Sequence, residues 1–343
     1  MKRQSKNQTI ISPVTMFLVF LLSVFAPLVL RFAGAQTQER LIEAAKKEGE
    51  FNYYASMDLQ EANLLIGKFK EKYPFLDVKL TRADSERLLT RVLAEARARK
   101  LAADAIQTVA FSMYTLKKQG ILGHYLPSDN HFYPADFKDD GYWTTVYYNP
   151  YVVGYNTRLI PKENLPKSYE DLLNPTWKGK MLIEGSKAEW FAGMLQIMGR
   201  EKGLRWMRDL AKQNPVNQTG HSLLIQLVAA GEALMDVNIP ASSVDRLKVT
   251  GAPVDWIAPG PVPGVMIGIG VAAQPAHPNA AKLYVDFILS REIQKLLQEH
   301  GRSLAPRSDS TQPGKGLRIV PVHASEAENL VTYAKNLREI FGK

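Results

Sequence analysis

Two hydrophobic periods alternate along most of the chain. The segment GEFNYYAS, residues 49–56, reads as a strand, and LQEANLLIGKFKEKYP after it places Leu59, Ala62, Leu65, Ile66 and Phe69 on one helical face before Pro74 stops the helix. LDVKLTRA is again strand-like, SERLLTRVLAEARARK carries Leu88, Leu89, Val92, Leu93 and Ala96 at helical spacing, and ADAIQTVA reads as a third strand. This β-α-β-α-β order predicts parallel strands with right-handed crossovers and ligand loops at their carboxyl ends.

The pattern changes at Thr144–Thr157. TTVYYNPYVVGYNT is extended with no helical period, and the Pro-containing run IPKENLPKSYEDLLNPTWKGK follows it, as expected of a crossing between two lobes. A second α/β set then begins: strand KMLIEG, one helix over KAEWFAGMLQIMGREKGLRWMRDLAK, helix HSLLIQLVAAG, and an apolar strand that collapses after Met235 into Asn238, Pro240, Ala241, Ser242 and Ser243, with a helix start near Ser243. GAPVDWIAPGPVPGVMIGIGVAA reads as the return crossing, and helices after Asn279 and near Ala324 to Phe341 cover the outside.

The first residues stand apart from this alternation. MKRQSK is basic, Val14 to Leu30 is almost wholly apolar, and FAGAQ follows, which is the layout of a signal peptide cleaved after Ala35; an uncleaved anchor is the alternative, against which Pro27 and the shortness of the run both count. The remaining 308 residues, 45% of the whole sequence being hydrophobic and 22% charged, are enough for two cores. The formal charge of +9 includes Lys2, Arg3, Lys6 and Arg31, so the mature part carries +5, with bases and acids interspersed as on solvated faces; nucleic-acid binding is not expected. There is no cysteine, which excludes disulfides, thiolate metal sites and a lipid-anchoring residue.

Catalytic wording is sparse. HExxH, GxxxxGK[ST] and GxSxG are absent, GVMIGIG misses the dinucleotide spacing, and the six histidines are unpaired. No cofactor or resident metal is expected.

Against this background LIEAAKKEGEFNYYAS, YEDLLNPTWKGKM, AAGEALMDV and FILSREIQKLLQEHGRSLAPR together resemble the periplasmic solute-binding proteins of ABC importers, closest to the ferric-iron-binding type. The resemblance covers nearly the whole mature chain. It implies an α/β fold of two lobes (type II-like), each a mostly parallel sheet flanked by helices, joined by two hinge crossings that close on a ligand before the protein docks on a permease. The lobes expected are residues 36–150 with 265–343, and residues 151–264, after a signal peptide at 1–35.

The iron ligands of that family are not retained. Its two adjacent tyrosines fall on Ala241 and Ser242, its histidine on Asp58 and Leu59, and its glutamate near Val109. Ferric ion needs anionic oxygen ligands, so tight binding of the bare ion is not expected. Tyr147 and Tyr148 are adjacent but lie on a different strand, where core or hinge packing is expected. The family's anion-holding loops fall on Glu184, Gly185 and Ser186 and on His221 beside Ser222; there Ser186 and Ser222 read equally well as plain N-caps, Trp190 as a stacking residue or as core, and Glu184 as discordant beside an anion. The expected ligand-binding set is Ser56, Asp58 and Thr108 on one lobe, facing Glu184, Ser186, Trp190, His221, Asn238 and Ser242 on the other. The reading is a monomeric, non-enzymatic carrier of a small organic or oxyanionic solute; a two-lobed enzyme using Asp58 and Glu184, and a ligand sensor docking on a membrane receptor, are the alternatives.

Overall fold

The computed structural model describes residues 38–304, 307–308 and 317–342. The expected signal peptide and its cleavage position lie outside the described residues. The first lobe begins with helix α1 (38–48), strand β1 (Glu50–Ala55), helix α2 (Leu59–Lys72), β2 (Asp77–Arg82), α3 (Ser85–Arg97), β3 (Ala105–Val109) and α4 (Ala110–Lys118). β1 pairs in parallel with both β2 and β3, as the alternating pattern predicts. On α2 the buried side chains are Ala62, Leu65 and Phe69, on one helical face; Leu59, at the first turn, is half exposed. Helix α4 follows β3 without a gap and has no separate mark in the sequence pattern.

Two long strands carry the chain between the lobes. After the short β4 (Lys138–Asp139), β5 (Trp143–Asn156) pairs antiparallel with the later strand β10 over its first half and with β8 and β9 over its second. The second lobe contains β6 (Met181–Ile183), α5 (Ala188–Met198), α6 (Arg200–Lys212), β7 (Val216–Asn217), α7 (His221–Ala230), β8 (Met235–Pro240), α8 (Ala241–Lys248) and β9 (Val254–Ile257). β6 is parallel to β7 and β8, so parallel pairs build the outer part of each lobe and antiparallel crossing strands join them. β10 (Val262–Val271) returns the chain and lies against β3, giving the order β2-β1-β3-β10-β5-β8-β6-β7.

The helix expected over residues 187–212 is two helices. Gly199 adopts φ +80°, a left-handed conformation that an L side chain resists, and the chain turns there between α5 and α6. A similar division separates α9 (Pro278–Leu289) from α10 (Arg291–Glu299), where the Ser290 hydroxyl accepts the Ile293 N–H. After β11 (Ile319–Pro321) comes α11 (Leu330–Phe341). The lobe boundaries in the sequence place this helix with the first lobe, but Tyr333 packs on Phe191 of α5 with ring centroids 5.4 Å apart, and α11 also lies against α6. The reason is the position of β11: it pairs with the start of β10, next to the second lobe.

One hydrophobic cluster runs through both sheets, from Phe51, Tyr53 and Tyr284 to Trp190, Trp206 and Met235. A smaller one fills the space under α7 and α8, with Val152, Leu224, Ile239 and Val244. Among the described residues no helix is long and apolar enough to cross a membrane.

Candidate functional site

A cavity of about 710 Å³ opens where β5 changes partners from β10 to β8. Successive strand side chains point to opposite faces, so Tyr147, Asn149 and Tyr151 share one face of β5; all three line the cavity and form its floor. The walls are strand ends and helix starts: Ser56 and Asp58 between β1 and α2, Ser85 to Arg87 at the start of α3, Ser186 and Lys187 before α5, His221 and Ser222 opening α7, and Ser242 and Ser243 opening α8. The starts of α3, α7 and α8 have no side-chain cap, leaving their first N–H groups to solvent or to a ligand.

Six of the nine expected residues come together here: Ser56, Asp58, Glu184, Ser186, His221 and Ser242. Three do not. Thr108 has no exposed surface; β3 is a central strand between β1 and β10, and it is the next residue, Val109, that reaches the cavity. Trp190 is 2% exposed and sits edge-on to Trp206, 6.4 Å between centroids, so the core reading of this residue holds. Asn238 is fully buried because β8 runs two residues further before the cavity opens at Pro240. Its carboxamide is a brace: Oδ1 accepts the Glu184 N–H at 2.9 Å and Nδ2 donates to the Glu184 carbonyl at 3.1 Å. The capping roles open for Ser186 and Ser222 are also not taken, since the N-caps of α5 and α7 are Lys187 and Gly220. The capping residue is Asp58, whose Oδ1 accepts the Gln60 N–H at 3.0 Å at the start of α2.

Glu184 owes its position to those Asn238 bonds and its charge state to its neighbours. Burial pushes its carboxyl upward, while Lys187 Nζ at 3.2 Å from Oε1 and the Gly220 N–H at 3.3 Å from Oε2 pull the other way; the net direction is up. His221 Nδ1 lies 3.2 Å from Glu184 Oε2 without hydrogen-bond alignment, and its Nε2 is 3.3 Å from the Tyr151 hydroxyl. Burial and the Lys187 ammonium hold His221 down to about 3, which makes it a neutral imidazole. Burial raises the Tyr147 and Tyr151 phenols well above the usual tyrosine range, against Arg302 and Arg246 at Tyr147 and against Lys187 at Tyr151.

Sequence reasoning missed the cations. Arg302, from the segment after α10, holds Glu61 of α2 through two 2.6 Å bonds, lies 4.4 Å over the Tyr147 ring, and donates from Nη1 to Ser242 Oγ at 3.0 Å and Asn149 Oδ1 at 3.2 Å. Arg82 is shared with the Met57 carbonyl and Asp84, whereas Arg87 and Arg246 line the cavity with no carboxylate in ion-pair reach among the described residues. Partners 241 positions apart, as in Arg302 and Glu61, leave no local signal, but the alternation Tyr147, Asn149, Tyr151 does. No group of three or more His, Cys, Asp or Glu among the described residues is placed to hold a metal ion.

Two lobes, a pair of crossing strands and a polar cavity at the strand ends define a solute-binding architecture, and the chain belongs to the bacterial extracellular solute-binding protein family, matched over residues 99–324. It is 23% identical over 293 residues to iron uptake protein A1 of Synechocystis sp., covering 78% of each chain. Among solved structures it resembles iron-bound HitA from Pseudomonas aeruginosa, with a TM-score of 0.73 and 21% identity over 84% of this chain and 99% of that one. It also resembles AfuA from Actinobacillus pleuropneumoniae with fructose-6-phosphate bound, with a TM-score of 0.74 and 18% identity over 86% and 99%. These structural likenesses establish the fold.

Proposed function

We propose that this protein captures a small oxyanionic or other polar organic solute between its lobes, as a periplasmic monomer, and delivers it to an ABC permease. The observation that carries the reading is the cavity itself: about 710 Å³, lined from both lobes, with Arg87 and Arg246 facing it without carboxylate partners among the described residues. That volume suits an organic molecule. A bare ferric ion needs a compact set of anionic oxygens. The start of α8 offers Ala241, which is buried, and Ser242, whose hydroxyl is engaged by Arg302; the nearest phenols, Tyr147 and Tyr151, are both disfavoured as phenolates. Of the relatives, AfuA, with its phosphorylated sugar, is therefore the better guide to ligand chemistry than the iron-bound proteins.

The carboxylates nominated for an enzyme are committed elsewhere, Asp58 to the start of α2 and Glu184 to Lys187, which favours binding over catalysis. Native mass spectrometry of the exported protein, followed by denaturation, identifies what co-purifies and should find an organic anion bound one to one. Titration with ferric citrate is the counter-test: a stoichiometric complex with a visible tyrosinate-to-iron band would reject the reading. N-terminal sequencing of the same preparation should begin at Gln36.

A further inference from the structure

The floor of the cleft has two ends, set by Tyr147 and Tyr151, whose Cα atoms are roughly 13 Å apart at strand spacing. Both ends hold a cation that touches both lobes. At the Tyr147 end, Arg302 joins Glu61 of the first lobe to Ser242 of the second. At the Tyr151 end, Lys187, just before α5, places its ammonium 2.8 Å from Glu86 Oε1 on α3, across the cleft, and 3.2 Å from Glu184 Oε1 on its own side. We propose that Lys187 is a positioning residue for solute capture: its ammonium bridges Glu184 and Glu86 and holds the lobes together at the Tyr151 end before any solute arrives, leaving the solute to the Arg246 end. The proposal rests on the cleft being the solute site.

Four observations support it. The Lys187 side chain is 16% exposed and Glu184 2%, so on the second lobe the pair is largely dry and geometrically fixed, while Glu86, at 59%, comes from the opposite wall. Burial alone would lower Lys187; the Glu86 and Glu184 carboxylates beside it pull the other way, and the net direction is up. Glu189, next along α5, adds a third carboxyl, which burial and the charge of Glu86 push upward against the pull of Lys187, so this end of the cleft has more acidic than basic groups and its one ammonium is already shared. The discordance of a glutamate in an anion-binding loop disappears, because Glu184 serves Lys187 and not the ligand. Of the donors left free, Arg246 and the α8 start with Ser243 lie near Tyr147, while Arg87, beside Glu86 on α3, offsets part of the negative charge at the Lys187 end.

Opening the cleft must break the Lys187–Glu86 contact, and the chain's lack of cysteine makes the opening measurable. Glu71→Cys on α2 and Glu201→Cys on α6 give two exposed spin-label positions on opposite lobes. Pulsed electron-electron distance measurement on ligand-free, labelled protein should show a dominant short-distance population. Lys187→Met and Glu86→Gln should each shift the open-to-closed ratio by roughly 5-fold, the scale of one partly exposed ion pair. Lys187→Arg should restore the parent distribution, which a merely structural role would not require, and Glu86→Gln keeps the test alive if the Met variant does not fold. Distributions unchanged by either variant, or a parent already open without ligand, overturn the proposal. Since no ligand is used, failure to find a co-purifying solute bears on the functional reading and not on the latch.

Discussion

Asp236 has no exposed surface, accepts the Asn238 N–H at 3.0 Å on one oxygen and has no hydrogen-bond partner for the other among the described residues. Burial, opposed by that bond and aided by the charge of Glu184, pushes it up to about 7. The unfolded carboxyl titrates near 3.9, so between about pH 4 and 7 the folded state binds more protons and stability falls as pH rises. His221 does the reverse: held at about 3 against roughly 6.5 when unfolded, it makes stability rise with pH over that interval. The two slopes offset each other in the parent protein across about pH 4 to 6.5. Denaturant melts between these limits should therefore show a rising profile for Asp236→Asn and a falling one for His221→Gln; matching profiles in all three proteins would reject the assignments. Asn238, one bond away, gives a separate expectation. Asn238→Leu removes both bonds to the Glu184 backbone and should lower stability by about 1–3 kcal/mol, with affinity falling only because the loop shifts. A stable variant that no longer binds would return Asn238 to the cleft wall.

Helix α5 shows how packing between elements overrides local preference. A Cβ on Gly193 would come within 2.5 Å of Pro263 Cβ on β10 and 2.8 Å of Val322 Cγ2. Alanine there would gain about 1 kcal/mol of helix propensity. The overlap falls on a strand-borne proline ring and a branched side chain, neither of which swings away, and overpacking costs about 1–3 kcal/mol. Gly193→Ala should thus lower the thermal midpoint, whereas at Gly67 of α2, where a Cβ would meet no atom within 4 Å, the same substitution should show the opposite sign. The same distinction explains what the sequence revealed. The faces of α2 and α3 and the alternating strands were legible because periodicity reports burial directly. Of the cavity walls, Ser56, Asp58 and Ser242 were legible because they follow strand ends, where the crossing topology exposes backbone, whereas Glu184, Ser186 and His221 came from the resemblance to the family's anion-holding loops. The break at Gly199 was hidden inside an unbroken apolar pattern. Thr108 and Asn238 were misplaced by one and two residues, since a strand's exit from the core depends on its neighbours. Arg302 was invisible because its partners come from remote elements.

Across the whole molecule, the last described helix is tied to the cavity loop before α5 by a chain of contacts. Tyr333, Leu337 and Phe341 of α11 are buried against the second lobe, and the Phe341 carbonyl accepts from Asn217 Nδ2 at 3.2 Å. Asn217 Oδ1 in turn accepts the Gly185 N–H at 3.0 Å, next to Glu184, and a Cβ on Gly185 would come 3.0 Å from Phe341 Cβ. The loop that carries Glu184, Ser186 and Lys187 is thus braced from beneath by Asn238 and from outside by α11. Phe341→Ala removes a buried ring and should cost about 3–5 kcal/mol, a large share of the roughly 5–15 kcal/mol that holds a typical domain together. Its specific signature is local: amide hydrogen exchange at Gly185 should accelerate more than at the equally buried β1, and solute affinity should fall with it. Glu339→Ala, on the exposed side of the same helix, serves as the control and should leave both unchanged. If Phe341→Ala lowers the thermal midpoint while Gly185 exchanges at the parent rate, the loop is positioned without α11 and the helix serves only to cover the core.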